Sequence, residues 1–237
     1  MNTGINLGEM RFTWLLRQRG IPFWDEANLE QRIEVKGKRP DFYAEPRDSS
    51  PFFAEIKELQ EVGPLRRVMV GVWAPDPYQN LKRLREPAES AAKQLKPYEK
   101  LRIPMLVVFD NARQVGVSLG SIDLIQLLGM SEYRVLMNVA TGEQVGSATL
   151  HSGSKQVLTP DRRRYISAIA VNLPKHGHQY VEPVEQERHM RLRVLHNPYA
   201  SVPLPLAIFN DPEDEHIGVQ DGRWVDLRTR LPIFGGR

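Results

Sequence analysis

Apolar and polar residues alternate with two different periods along the first hundred residues. Apolar positions three and four residues apart predict a helix over residues 7–19. Two-residue alternation predicts strands over 32–35 and 53–57. Five consecutive apolar residues at 105–109 predict a buried central strand. The pattern therefore indicates helices and strands that follow one another in an α/β arrangement.

A second helix is predicted before that buried strand. Asp76-Pro77-Tyr78 is typical of a turn, and Glu86-Pro87 is typical of a helix start, because proline is tolerated at the first helical position. Pro97 is expected to end the helix. A helix that leads into a buried strand forms a crossover, so part of the sheet is expected to be parallel.

The second half of the chain is predicted to be rich in strands. Residues 121–128 suit a short helix with Ser121 as its cap. Turn residues at 140–143 lie between two alternating runs, which indicates a hairpin, and the apolar run 165–173 indicates a further strand. The expected fold class is α/β, with a mixed central sheet flanked by helices and a β-rich C-terminal extension.

Composition narrows the class of protein. The 237 residues are 41% hydrophobic, which is enough for one sizeable core. The absence of cysteine excludes disulfides, thiolate zinc sites and cysteine nucleophiles. The chain has no run of about 18 apolar residues and no signal-like start, so we expect a cytoplasmic protein that does not bind membranes. A net charge of +3 is compatible with a polyanionic partner.

Charged residues with metal-binding chemistry occur at two places in the strand pattern. Asp41 follows Pro40 at a predicted strand start, and Glu55 and Lys57 are two residues apart, so they share one face of a strand. If Asp41 lies on the adjacent antiparallel strand, the three side chains converge. Two carboxylates can hold Mg²⁺ or Mn²⁺, and an ammonium beside them can stabilise charge on a phosphate.

Pro40-Asp41 and Glu55-Ile56-Lys57 resemble the two parts of the PD-(D/E)XK motif, and on these residues the chain is similar to that nuclease superfamily, which has the restriction-endonuclease-like fold. Gln94 and Tyr98 resemble the Gln-x-x-x-Tyr pattern of its RecB-type branch. The resemblance covers about residues 7–111. In that branch Gln94 would be catalytic and position a water or phosphate, and Tyr98 would contact the nucleic-acid backbone.

An upstream carboxylate is a further feature of the superfamily, and three residues compete for it. Glu9 lies in the first predicted helix, where the resemblance implies action through a metal-bound water. Glu9 also lies three residues after Asn6, so it equally suits a capping box on a helix that Gly20 ends. Glu26 and Glu30 remain alternatives for the upstream role.

The resemblance implies a metal-dependent nuclease that hydrolyses phosphodiester bonds, with DNA as the favoured substrate. Asp41 and Glu55 would bind Mg²⁺ or Mn²⁺, with the backbone carbonyl of Ile56 as a further ligand. Lys57 would orient the attacking water or stabilise the transition state. One alternative is a non-catalytic nucleic-acid-binding or interaction module that keeps the fold. A weaker one is an RNA-directed nuclease.

The resemblance divides the chain into a nuclease-like core at 1–118 and an extension at 119–237 packed on or beside it. Three roles are open for the extension: completing the sheet, binding nucleic acid or forming a homodimer. Two arginine groups could bind a nucleic-acid backbone or form an ion-paired face. These groups are Arg162, Arg163 and Arg164, and Arg188, Arg191 and Arg193.

Two other polar groups contain residue types that can bind metals. His176 and His178 have no third ligand at zinc spacing, which favours an ordinary loop pair. The acidic run 211–215 lacks the spacing of a calcium loop, which favours a solvated loop.

Overall fold

The computed structural model describes residues 6–34, 38–59, 66–69, 72–74, 77–110, 119–128, 132–134, 141, 149–151, 156–175 and 187–233. The α-helices of this part are α1 Leu7–Gln18, α2 Pro77–Leu95 and α3 Ser121–Leu127. The strands are β1 Phe23–Asp25, β2 Phe42–Ala44, β3 Phe52–Glu58, β4 Arg66–Met69, β5 Val72–Ala74, β6 Met105–Asp110, β7 Glu132–Arg134, β8 Thr149–His151, β9 Ala168–Pro174, β10 Met190–His196, β11 Glu215–Gln220 and β12 Arg223–Asp226.

One mixed sheet of eight strands, in the order β1-β2-β3-β6-β9-β10-β11-β12, runs through the described part of the chain. The first three strands are antiparallel, and β3 is parallel to β6, which is parallel to β9. Beyond β9 the directions alternate, except that β10 and β11 are parallel. The α/β class with a mixed sheet is therefore confirmed, as is the predicted parallel crossover into β6.

Each face of the sheet has its own hydrophobic core. Ala54 and Ile56 of β3 point to the side where α1 packs, with Phe12 and Leu15. The alternate residues of β3, beginning with Phe53, point to the other side, where Phe53 packs with the small-residue face of α2. Because alternate residues of a strand face opposite ways, this arrangement puts Glu55 and Lys57 on the α2 side of the sheet.

Helix α1 begins and ends as its sequence predicts. The side chain of Asn6 accepts a hydrogen bond from the backbone N–H of Glu9 at 3.2 Å, and Gly20 has a φ of +61° just after the helix. The helix lies close to the sheet at Gly8. A Cβ there would be 3.0 Å from Ile56 Cγ2 and 3.1 Å from Asp110 Cβ.

A buried ion pair fixes α1 to the centre of the sheet. Arg11 Nη1 donates to Asp110 Oδ1 at 3.0 Å, and both side chains are almost fully buried. Asn172 of β9 donates to Asp110 Oδ2 at 3.2 Å. These contacts tie the helix that carries Glu9 to β6 and β9.

Three predictions in the first half are wrong. A 3-10 helix, Leu29–Gln31, precedes residues 32–34, which are not a strand, and Val35 lies outside the described residues. Helix α2 already begins at Pro77, so Pro77 and Tyr78 are helical rather than part of a turn, and Pro87 lies inside the helix rather than at its start. The long amphipathic pattern outweighs the proline, because Leu84, Ala88 and their neighbours all pack on the sheet.

The second half matches its prediction in part. Gly120, not Ser121, caps α3, and its N–H donates to the Asp123 carboxylate at 2.7 Å. Strands β7 and β8 pair antiparallel, while most of the predicted turn 140–143 lies outside the described residues. His176 and His178 lie outside them as well. Among the described residues, no helix is both long and apolar enough to span a membrane.

Candidate functional site

Asp41 lies immediately before β2, beside β3. The register pairs Phe42 with Ala54, so Asp41 is opposite Glu55 on the neighbouring strand. Asp41 Oδ2 accepts a hydrogen bond from the backbone N–H of Ile56 at 2.6 Å. The contact holds the first carboxylate of the predicted site against the strand that carries the second.

Glu55 and Lys57 contact each other on one face of β3. Lys57 Nζ lies 2.5 Å from Glu55 Oε1. The Glu55 side chain is 0% exposed, and within the described ranges its Oε2 has no hydrogen-bond partner. Burial, followed by the charge of Asp41, raises the pKa of Glu55 to about 7, although Lys57 opposes the rise. A buried carboxylate oxygen without a donor is costly and marks a position where a ligand would be stabilising.

Glu9 reaches the same neighbourhood from α1. Burial raises the pKa of Glu9, the charge of Asp41 raises it further, and Lys57 lowers it. The Asn6 side-chain amide donates to the Glu9 carboxylate, whereas a capping box would use the Asn6 backbone N–H. Glu9 thus contacts the residue that caps α1 and lies within electrostatic reach of Asp41 and Lys57 on the sheet.

The two alternative upstream carboxylates differ in position. The charge of Glu26 raises the pKa of both Glu9 and Asp41, so Glu26 is close to the site. Glu30 forms an ion pair with Arg39 instead. Glu26 thus stays an alternative to Glu9 for the upstream role, and the structure commits Glu30 to another contact.

Gln94 and Tyr98 hold the backbone that leads into Asp41. Gln94 Nε2 donates to the carbonyl of Arg39 at 2.7 Å, and Tyr98 Oη donates to the carbonyl of Lys38 at 3.0 Å. Both side chains are buried, and among the described residues Gln94 Oε1 has no partner. The predicted roles of Gln94 at water or phosphate and of Tyr98 at the nucleic-acid backbone stay predictions.

Desolvation and mutual repulsion dominate the electrostatics of the site. Burial raises the pKa of Asp41, while the Ile56 N–H and the charge of Lys57 lower it. Three carboxylates, those of Glu9, Asp41 and Glu55, thus have raised pKa values in one place. A bound cation would relieve this repulsion, and groups of this kind are typical of functional sites.

The donor set suits a hard cation that keeps several waters. No three His, Asp or Glu side chains of the described residues form a ready-made metal centre. Mg²⁺ does not need one, because it is usually held by one or two carboxylates and by waters. Asp41 and Glu55, with the partnerless Oε2, fit that requirement. The Ile56 carbonyl stays a predicted ligand.

The predicted arginine surfaces are largely engaged within the protein. Arg191 and Arg193 both pair with Glu215, at 2.6 Å each. Arg163 donates to the carbonyl of Val157. Arg163 also pairs with Glu89 at 3.6 Å, Arg164 donates to the Tyr199 carbonyl, and Arg162 is exposed. Binding of nucleic acid by Arg162, Arg163 and Arg164 stays a prediction.

The acidic run 211–215 is not the solvated loop that its sequence predicts. Asp211 pairs with Arg19 and with Lys175, the latter at 2.7 Å. Asp214 pairs with Arg19 at 3.1 Å and is almost fully buried. These partners lie far away in sequence, so the run holds the C-terminal part of the sheet to α1.

A pocket of about 350 Å³ lies at the other end of β6, away from Asp41 and Glu55. Its lining includes Glu99, Arg102, Met105 and Tyr165. None of the predicted site residues lines it, so the convergence of charged side chains, and not this concavity, marks the candidate site.

One residue near the site, Lys38, is not marked by any local sequence pattern. Lys38 belongs to a charged turn whose composition gives no hint of a role. In the structure its charge lowers the pKa of both Asp41 and Glu55. Its carbonyl bond from Tyr98 joins residues 60 positions apart, which no local pattern reveals.

Comparison of the chain with protein-family models, with curated protein sequences and with solved structures finds no match.

Proposed function

We propose that the protein is a metal-dependent nuclease of the PD-(D/E)XK type that hydrolyses phosphodiester bonds, with DNA as its substrate. The observation that carries the proposal is the meeting of Asp41, Glu55 and Lys57 at adjacent strands, with Glu55 Oε2 buried and lacking a partner among the described residues.

The proposed roles follow from the contacts of each side chain. Asp41 and Glu55 would hold Mg²⁺ or Mn²⁺, which would supply Lewis-acid stabilisation of charge on the phosphate. Lys57 keeps an ammonium beside Glu55, where it can orient water or offset negative charge. Glu9 adds a carboxylate from α1 within electrostatic reach of Asp41, where it would act through a metal-bound water.

The order of elements supports the same proposal. Helix α1, the antiparallel strands β1 to β3, helix α2 and the parallel strand β6 follow one another in the chain. This is the order expected of a restriction-endonuclease-like core, with Asp41 just before β2 and Glu55 and Lys57 on β3.

Cleavage assays with conservative variants test the proposal. Supercoiled plasmid and end-labelled single-stranded DNA would be incubated with Mg²⁺, with Mn²⁺ or with EDTA. Asp41→Asn keeps an oxygen that can accept from the Ile56 N–H but loses the charge. We expect cleavage only with metal, and a loss of roughly 100-fold or more in Asp41→Asn and Lys57→Met.

Asp48→Asn is the matched control, because Asp48 is an exposed carboxylate outside the site. It should cleave like the native protein, and circular dichroism should show all variants folded. Cleavage by Asp41→Asn and Lys57→Met at the native rate would refute the site.

A second candidate is a nucleic-acid-binding module without catalysis. The observation in its favour is the direct Lys57–Glu55 contact, which partly neutralises Glu55 without a metal. This candidate predicts DNA binding of equal strength in Mg²⁺ and EDTA, with no product in either. Competition with RNA in the same assay separates the DNA-directed from the RNA-directed nuclease.

A further inference from the structure

Residues 38–39 lead directly into Asp41 and are fixed by side chains from the end of α2 and from the 3-10 helix that follows it. Tyr98 and Gln94 donate to the carbonyls of Lys38 and Arg39, respectively, at 3.0 and 2.7 Å. Tyr98 is 3% exposed and Gln94 6% exposed, so both donors are themselves held by packing. The backbone beside the site therefore has a fixed path rather than that of a free turn.

The cations near the site differ in what they contact. Lys57 contacts Glu55, and Arg39 contacts Glu30. The side chain of Lys38 is exposed and, among the residues that the structure describes, has no carboxylate within ion-pair distance. Lys38 is thus a cation beside the site whose charge can serve a ligand.

The place of Lys38 in the chain agrees with such a role. Lys38 lies three residues before Asp41, and the hydrogen bonds from Tyr98 and Gln94 fix the backbone of Lys38 and Arg39. If the scissile phosphodiester were placed at Asp41 and Glu55, an exposed lysine so close in the chain could reach a neighbouring phosphate. Lysine binds phosphate as a point charge, and such contacts position a strand without reading its sequence.

We propose that Lys38 binds a backbone phosphate next to the scissile phosphodiester, and that Gln94 and Tyr98 are positioning residues that fix the backbone carrying Lys38. The inference rests on the proposed nuclease function and extends it. It names a substrate contact that does not depend on base sequence.

Binding measurements without cleavage test the contact. Fluorescence anisotropy would follow a labelled 20-nucleotide single strand and the corresponding duplex in EDTA, over a range of salt concentrations. Loss of one phosphate contact lowers the slope of log K against log salt by about 0.7 for the single strand and about 0.9 for the duplex. We expect Lys38→Met to show this change and to bind roughly three- to tenfold more weakly, since one counterion-releasing contact is lost.

Two variants separate the charge from its surroundings. Lys38→Arg keeps a cation and should restore the slope, and Lys100→Met removes an exposed lysine of the 3-10 helix Lys96–Leu101 and should leave it unchanged. In cleavage assays Lys38→Met should raise KM while kcat stays near the native value. Its affinity for Mn²⁺ should not fall, because Lys38 is not a metal ligand.

Tyr98→Phe tests the positioning role. It keeps the ring, whose centroid lies 5.1 Å from that of Phe53, but removes the hydrogen bond to the Lys38 carbonyl. Tyr98→Phe should weaken DNA binding less than Lys38→Met does. In the double variant the two effects should not add. A Tyr98→Phe protein that melts earlier but binds DNA as tightly as the native protein would overturn the positioning role.

The outcomes distinguish this inference from the nuclease proposal. Native binding and an unchanged salt slope in Lys38→Met, with cleavage lost in Asp41→Asn, would overturn the inference and leave the nuclease proposal standing. Native protein that neither binds nor cuts DNA or RNA would overturn both.

Discussion

Glu55 is the residue at which the proposed function and the stability of the fold oppose each other. Its side chain is buried beside Asp41, and its pKa is raised from 4.5 to about 7 by burial first and by that charge second. The folded state therefore holds this proton more tightly than the unfolded chain does. The resulting stability is fully present below about pH 4.5 and is lost as the pH rises through about 7.

Glu55→Gln should stabilise the protein at alkaline pH while it abolishes cleavage. At about 1.4 kcal/mol per pKa unit, the upper limit of the gain at pH 8 is about 3 kcal/mol. The lost contact with Lys57 reduces it, so we expect about 1–2 kcal/mol in the free energy of unfolding. Urea unfolding at pH 5 and pH 8 measures the effect.

Glu99→Gln is the control for this experiment, because Glu99 is exposed and remote from Asp41. Between pH 5 and pH 8 its free energy of unfolding should change by the same amount as that of the native protein. If Glu55→Gln also changed by the native amount, the raised pKa of Glu55 would not be a source of the pH dependence.

Individual residues of the site could be predicted to different degrees. Alternation along β3 was enough to put Glu55 and Lys57 on one face, and a short hairpin was enough to bring Asp41 beside them. Lys38 could not be found in this way. The backbone of Lys38 is held by a hydrogen bond from Tyr98, which lies 60 residues further along the chain, in the 3-10 helix before β6.

At the scale of elements, local patterns located α1, β3 and β6 but misplaced the start of α2. The residues around Pro77 have the composition of a turn, and Pro87 has that of a helix start. In the structure the helix runs through Pro87, although an interior proline costs about 3 kcal/mol. Burial of Leu84, Ala88 and the residues after them against the sheet offsets that cost, and such packing is not visible in a local window.

The docking of α1 gives an element-scale prediction. Arg11→Met would leave the fully buried Asp110 carboxylate without the guanidinium that pairs with it at 3.0 Å. We expect a loss of about 3–5 kcal/mol in the free energy of unfolding, because an uncompensated buried charge is costly. Because α1 also carries Glu9, cleavage should fall as well.

A double variant shows whether the charge or the packing is responsible. Arg11→Met combined with Asp110→Leu removes both charges and should be less destabilised than Arg11→Met alone. Arg17→Met, at an exposed position of the same helix, should unfold like the native protein. Equal losses in the single and double variants would mean that the ion pair does not anchor α1.

At the scale of the whole molecule, strands from both halves of the chain share one sheet, and long-range polar contacts join them. The pairs of Asp211 and Asp214 with Arg19 connect the loop before β11 to the end of α1. The sequence shows which residues are charged but not which of them pair, because the partners are about 190 residues apart in the chain. The C-terminal strands are thus linked to the helix that reaches the site.

A histidine pair, with His216 buried and His196 half-buried, joins the parallel strands β10 and β11 and should make the fold sensitive to acid. His216 Nε2 lies 2.6 Å from the Phe209 carbonyl, and its Nδ1 lies 2.9 Å from His196 Nε2. A carbonyl only accepts, so His216 Nε2 carries a proton and its Nδ1 accepts from His196. A second proton on His216 would break this contact, so the fold favours the neutral pair.

Both histidine pKa values are lowered, which fixes the sign of the pH effect. Burial and then the charge of His216 lower the pKa of His196 to about 3. Burial lowers the pKa of His216, although the Phe209 carbonyl and Asp214 oppose this. The unfolded chain binds these protons more tightly, so stability is fully present above about pH 6.5 and falls as the pH drops toward 3.

His196→Gln should flatten this acid dependence. Its amide can still donate to His216 Nδ1 but does not titrate. At pH 5 the native protein loses up to about 2 kcal/mol of unfolding free energy through His196, and the variant should lose about 1–2 kcal/mol less between pH 7.5 and pH 5. Urea unfolding across that range measures it, with the exposed His189→Gln as a control that should follow the native curve. This pH range lies well above the titration of Asp211. Partial burial raises the pKa of Asp211, but its contacts with Lys175 and Arg19 outweigh burial and lower the pKa to about 2. Parallel curves for His196→Gln and the native protein would show that the pair is not what makes the fold acid-sensitive.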